Sequence, residues 1–288
     1  MPNGLSIHIA LNEVDARHYG SEFPLAGCMN DATAMCEMAK AIGFETSLLT
    51  DRDATTEAVL GTLRAAASRV RCDDFLFVSF SGHGLRVPDL ESSWSSLYGW
   101  EHTWCLFDRM LLGLELREIW ADLPANSRVL VVSDCCFAAG IYWSIRGATV
   151  DGCAAATTSP QGQASREWRD NGDAQPQRTL KSADARKVYG RNRKLYEMVQ
   201  AQIVSRPFPA VSADVLLLAA CRDCERARDG DPHGLFTGSL LNIWDSGGFQ
   251  GDYVALHTEL LRRLAPTQYP VLLASRLPSF IRQRPFTI

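Results

Sequence analysis

Four runs along this 288-residue chain are apolar on both faces: LSIHIAL from Leu5, DFLFVSF from Asp74, RVLVVSD from Arg128 and DVLLLAA from Asp214. A strand with one wet face alternates polar and apolar residues. A strand that does not alternate has to be covered on both sides, as parallel strands under helices are. The stretches between the runs have a helical period instead. NDATAMCEMAKAIG offers Asn30 as N-cap, Ala32, Met35, Ala39 and Ile42 on one face, and Gly43 as a stop. TTEAVLGTLRAAASRV repeats the pattern with Leu60, Leu63, Ala67 and Val70 behind a threonine cap. Strand and helix alternate, which predicts a doubly wound α/β domain with a mostly parallel sheet.

Charge and cysteine usage exclude several classes. A net charge of -4 gives no electrostatic case for nucleic acid. No run approaches the roughly 18 apolar residues of a membrane span, and the opening MPNGLSIHIALNEV alternates rather than showing a basic segment before a greasy one. Neither a membrane nor secretion is expected. The nine cysteines are odd in number and sit in or beside apolar runs, which suits a reducing compartment, and the expectation is a cytoplasmic protein. Residues 151–206 break the rhythm: they are polar and carry Arg166, Arg169, Arg178, Lys181, Arg186, Lys187, Arg191, Arg193 and Lys194. A connection of that length reads as a mobile or functional insert.

In open α/β sheets the reactive groups gather at the carboxyl ends of the strands. Two strand ends here are unusual. FSGHG sets His83 between glycines, and VVSDCCFAAG sets Cys135 and Cys136 directly after Asp134. A thiol and an imidazole facing one another across neighbouring strand ends supply a nucleophile and its proton carrier. His83 precedes Cys136 by 53 residues, near the spacing of roughly 50 that marks caspases. The residues alone leave open which of the two cysteines is the nucleophile.

SGHG and DCCFAAG resemble the histidine and cysteine motifs of the metacaspases and their bacterial relatives, the caspase-like cysteine peptidases of clan CD (the C14 family). LAGCMNDATAM, GWEHTWCLFDRMLLGLEL, LLLAACRDCERARD and GLFTGSLL follow the same family in order. The likeness covers nearly all of the chain except the insert. It implies a caspase-like three-layer α/β/α sandwich with a mostly parallel central sheet, in one domain over 1–288. Residues 1–150 would form a large-subunit-like part, 151–210 a basic flexible insert, and 211–288 a small-subunit-like part. It further implies that Cys136 is the nucleophile, that Cys135 packs, and that His83 is base and acid. The N–H groups of Gly84 and Cys136 would receive the oxyanion.

By the same resemblance Cys28, Asp31, Ser81 and Asp134 surround the pocket for the residue before the scissile bond, with Asp223 of the CRDC segment nearby. Two carboxylates beside a thiol raise its pKa and so activate it poorly. They suit a cationic side chain held by charge-assisted hydrogen bonds, and the implied substrates are proteins or peptides with Arg, or possibly Lys, before the cut. A basic insert tethered beside such a pocket predicts self-cleavage between about Arg166 and Arg206. The rival expectation is a catalytically silent caspase-like interaction module.

The sequence departs from the family at Phe137, where relatives have His after the nucleophile. Many relatives bind calcium, but here Tyr98, His102, Gly113 and Leu114 stand in acidic places and only Glu101, Asp108 and Glu115 remain. A site for six to eight oxygen ligands is not expected from that set, and no metal or other cofactor is called for. CRDC at 221–224 imitates a redox Cys-x-x-Cys, and RNRKLYE imitates a nucleic-acid patch; both read better as parts of the peptidase and of a solvated face. Family members are found both as monomers and as dimers. No residue decides the oligomeric state, and a monomer is the expectation.

Overall fold

The computed structural model describes residues 2–90, 99–142, 176–205, 210–223, 225–275 and 279–288. Its centre is a six-stranded sheet in the order β2-β1-β3-β7-β8-β9. The strands are β1 (Gly4–Ala10), β2 (Glu45–Thr50), β3 (Phe75–Ser81), β7 (Arg128–Asp134), β8 (Asp214–Ala219) and β9 (Val271–Ala274). All neighbours run parallel except β8 and β9. The four apolar runs are β1, β3, β7 and β8, the inner strands. Every residue of β1 and β3 is buried, as a strand covered on both faces requires.

Successive side chains of each inner strand enter different layers. Leu76, Val78 and Phe80 of β3, Val129 and Val131 of β7, and Val215 and Leu217 of β8 join one core. Phe75, Phe77, Leu130, Val132, Leu216 and Leu218 join the other. Helices α3 (Thr56–Ala67), α4 (Gly113–Ala121) and α5 (Ser182–Val204) close the first layer through Val59, Leu63, Leu116, Ile119, Val188 and Tyr196. Helices α2 (Cys28–Ile42), α6 (Leu235–Trp244) and α7 (Tyr253–Leu264) close the second through Met35, Ala39, Phe236, Leu240, Leu256 and Leu260. A short α1 (Ala16–Tyr19) precedes α2. The result is a three-layer α/β/α sandwich.

Four details differ from the sequence reading or go beyond it. Helix α2 starts at Cys28 with Gly27 as cap, so Asn30 lies inside its first turn rather than capping it, and donates to Pro232 O at 2.9 Å. The threonine cap of α3 is Thr55, whose hydroxyl accepts from Ala58 N. A second, antiparallel sheet, β4 (Gly84–Pro88), β5 (Trp100–Cys105) and β6 (Met110–Leu112), was not foreseen. The insert is not one flexible segment: Ser182–Val204 is a 23-residue helix. Arg166 and Arg169 lie outside the described residues.

Candidate active site

Register brings the two unusual strand ends level. In the parallel pair β3–β7, Ser81 faces Asp134, and Gly82 N donates to Asp134 O at 3.3 Å one step further on. His83 and Cys136 each follow two residues later, so a shared ladder sets their positions. Gly84 then opens β4, where a Cβ would stand 2.0 Å from Cys136 O. Only glycine permits that approach.

The His83 ring is oriented by one bond. Its Nε2 lies 2.7 Å from Phe23 O. A carbonyl can only accept, so Nε2 carries the proton and Nδ1 has the lone pair. Nδ1 is buried and has no hydrogen-bond partner among the described residues. Burial lowers the pKa of His83 to about 4, and the ring is neutral. The Cys136 thiol is pushed well up, again by burial, and it accepts a bond from Ala227 N at 3.2 Å. Cys135 Sγ rests 3.4 Å from Ser133 Oγ in the core behind.

Between these groups and the neighbouring helices runs a segment of the insert itself, Pro176–Leu180. Arg178 is 0 % exposed. Its Nη2 reaches Asp31 Oδ2 at 2.6 Å and Asp229 Oδ1 at 3.1 Å, and its Nη1 reaches Asp134 Oδ2 at 2.9 Å and Ser81 Oγ at 2.7 Å. Nε points at Asp229 Oδ1, 3.3 Å away. All three guanidinium nitrogens are therefore bonded, and Gly234 leaves room for them, since a Cβ there would fall 2.3 Å from Nη2. The carbonyl oxygen of Arg178 accepts from Gly84 N at 3.0 Å and from Cys136 N at 3.2 Å.

Each carboxylate also accepts bonds from groups other than Arg178. Asp31 Oδ1 accepts from Gly234 N and lies 3.0 Å from His233 Nδ1. Asp229 accepts from Ala26 N and Gly27 N, and Asp134 from the backbone and hydroxyl of Thr237. Three acids around one cation leave a negative surplus in a buried site. Desolvation, opposed by Arg178 and aided by Asp31, raises the pKa of Asp134 to about 6. Cys28, beside the same cluster, is pushed up to about 12 by burial.

The structure sets Asp31, Ser81 and Asp134 on the Arg178 side chain with Cys28 beside them, and Gly84 and Cys136 on its carbonyl oxygen, with His83 at the adjoining strand end. Asp223 lies in the turn after β8, and the third carboxylate on Arg178 comes from Asp229, six residues on. Sequence reasoning missed Asp229, missed Phe23 as the partner of His83, and did not single out Arg178 among nine basic residues. Phe137 takes a left-handed backbone, φ 60°, and lays its ring against Arg86, 4.5 Å from the guanidinium carbon. Cys221 of CRDC donates to Cys135 O and Glu225 O, a packing role; Cys224 is outside the described residues.

The three acids weighed for calcium have other partners. Glu101 accepts from Leu114 N, Asp108 caps Thr56, and Glu115 pairs with Arg109 at 2.7 Å. Tyr98 falls outside the described residues. This donor set does not fit a hard cation needing six or more oxygens.

The caspase-domain family model (Peptidase_C14) matches residues 12–281. Metacaspase-9 of Arabidopsis thaliana is 30% identical over 128 residues, 41% of this chain and 39% of that protein. Metacaspase-7 of the same plant is 28% identical over 134 residues, 42% of this chain and 32% of that protein. These matches span about a third to two fifths of the length of those curated relatives. Among solved structures, protein GSU0716 from Geobacter sulfurreducens superposes with a TM-score of 0.80 at 31% identity, covering 99% of both chains. Caspase-1 from Spodoptera frugiperda superposes at 0.53 and 14% identity, covering 98% of this chain and 88% of that one, a likeness of fold.

Proposed function

Because the chain belongs to the caspase-domain peptidase family C14, we propose that it is a cysteine endopeptidase that cleaves after arginine and processes itself between Arg178 and Thr179. The observation that carries this reading is Arg178, whose side chain fills an acidic pocket while its carbonyl oxygen accepts from the N–H groups of Gly84 and Cys136. That is how a substrate residue before a scissile bond has to sit.

Cys136 gives its proton to Nδ1 of His83 and attacks the Arg178 carbonyl carbon. The oxygen gains the negative charge, and the two N–H groups already aimed at it stabilise that charge without reorganising. The C–N bond to Thr179 breaks as His83 returns the proton to the departing nitrogen. Water, deprotonated by the same ring, then cleaves the thioester and restores the thiol. While Pro176–Leu180, the strap, occupies the site, the Cys136 thiol is buried and holds its proton until His83 takes it.

Arginine is the favoured residue because a planar fork with three engaged nitrogens matches the three carboxylates, and a lysine ammonium leaves part of that set unpaired. The substrates in trans are peptides or proteins with Arg before the cut. No calcium requirement is proposed.

Mass spectrometry of the purified wild type beside Cys136→Ala and Cys135→Ser tests the reading. The wild type and Cys135→Ser are expected to be cut after Arg178 and Cys136→Ala to stay intact. An uncut wild type, or the same cut in Cys136→Ala, favours the silent interaction module instead.

A further inference from the structure

The strap shows more of its neighbours than the arginine. Pro176, Gln177 and Arg178 lie antiparallel to Ala227–Asp229: Arg178 N donates to Ala227 O at 3.0 Å, Asp229 N donates to Pro176 O at 3.0 Å, and Gln177 pairs with Arg228 as an isolated bridge. This is strand addition, in which main-chain bonds give affinity and side-chain positions give selectivity. The receiving strand is itself fixed. Ala227 N bonds Cys136 Sγ, and Arg228 N bonds Gln268, whose amide holds Ala220 O at 2.8 Å.

Within that frame the Gln177 side chain reaches another side chain: its Oε1 accepts from Nη1 of Arg226. Arg226 precedes the residue bonded to the nucleophile, on a backbone held at Ala227 and Arg228. We propose that Arg226 is a specificity-determining residue that reads the side chain immediately before the cleaved arginine and selects an acceptor there, glutamine or glutamate. The inference rests on the reading of Arg178 as the residue before the scissile bond. It narrows the substrate class from any arginine-containing segment to extended segments ending in Gln-Arg or Glu-Arg.

The chemistry favours that class for two reasons. A guanidinium donates and never accepts, so a lysine or arginine opposite it brings repulsion and no bond. An apolar side chain of similar length forfeits the charge-assisted bond that Gln177 makes to Arg226. One such bond corresponds to roughly a tenfold change in a rate or affinity constant.

The test uses the full chain and four fluorogenic amides, acetyl-Ala-Pro-X-Arg-aminomethylcoumarin with X as Gln, Glu, Leu or Lys. The wild type is expected to cleave the Gln and Glu peptides with kcat/KM roughly tenfold above Leu, and Lys lowest of all. Arg226→Leu is expected to flatten the series while the preference for arginine next to the cut persists. Equal kcat/KM for Gln, Glu and Leu in the wild type overturns the inference.

A second arm needs no turnover. In Cys136→Ala, limited trypsin digestion reads how firmly the strap is seated, and adding Gln177→Leu is expected to speed the cut after Arg178 several-fold while Gln177→Glu does not. Equal protection in all three proteins overturns the inference too. If no peptide is cleaved at all, the peptidase reading fails by itself, and the trypsin arm still decides the pairing of Gln177 with Arg226.

Discussion

Asp229 is the residue whose role could be found only in three dimensions. It stands in RARDGDPHG among other acids and bases, with nothing local to mark it, yet it accepts from two arginine nitrogens and from Ala26 N and Gly27 N. Those backbone bonds fix the carboxylate's position independently of the guanidinium. Removing its charge leaves a buried cation with one partner fewer, a loss on the order of a few kcal/mol. Asp229→Asn, which preserves shape, is expected to lower kcat/KM for arginine peptides by about a hundredfold or more. Steady-state kinetics on processed enzyme, with circular dichroism to show an intact fold, checks it; a value within threefold of wild type would remove Asp229 from the pocket. By contrast Asp31, Ser81 and Asp134 were legible, because each occupies a fixed place in a motif whose strand or helix was itself legible.

At the scale of elements, what could be read was whatever buries a continuous apolar face. The strands β1, β3, β7 and β8 announced themselves because both of their faces are covered. Edge strand β2 did not: it is half exposed, and Leu48 is 42% accessible. Helix α5 was hidden for a related reason. Its buried positions, Val188, Tyr196, Gln200 and Ile203, keep helical spacing, but they are few among basic and polar neighbours, and the composition reads as loop. The helix is pinned instead by polar contacts, Tyr196 Oη with His18 Nε2 at 2.7 Å and with Met110 N at 3.1 Å, and Gln200 between Leu90 N and Pro88 O. Topology makes a prediction about the cut at Arg178. The piece before it contains β1 to β7, and the piece after it contains α5, β8 and β9. Six residue pairs join β7 to β8 across the break, and β8 is buried on both faces. The nicked protein is expected to show two bands on a denaturing gel and one species of undivided size on native gel filtration. Separation of the fragments without denaturant would mean that the sheet does not hold them.

Across the whole molecule, burial has a consistent electrostatic signature: histidines are kept neutral. The pKa falls from 6.5 to about 3 for His8, about 4 for His83 and about 3 for His102, desolvation being the largest cause in each. His8 bonds Ser79 of the neighbouring strand β3 and Ser6 of its own strand β1, whereas neither nitrogen of His102 has a hydrogen-bond partner among the described residues. Above pH 6.5 these rings are neutral in both folded and unfolded chains, and their stabilising share is complete. As pH falls below 6.5 the unfolded chain takes up three protons at His8, His83 and His102 that the folded one refuses, so stability is lost down to the folded values near 4 and 3, and His18 and His257, also lowered by burial, act in the same direction. Asp134 opposes them. Raised from 3.8 to about 6, it binds a proton in the folded state first, which offsets one of the three between those values. Two net protons give a slope of roughly 3 kcal/mol per pH unit near pH 5. Urea unfolding of Cys136→Ala, which avoids self-cleavage, is therefore expected to show a midpoint that falls steeply from pH 6 to pH 4.5 and changes little from pH 7 to pH 8. His102→Leu removes one refused proton and should make the acid slope shallower by about 1.4 kcal/mol per pH unit. A midpoint independent of pH between 4.5 and 7 would contradict the neutral, buried histidines on which the core and the role proposed for His83 depend.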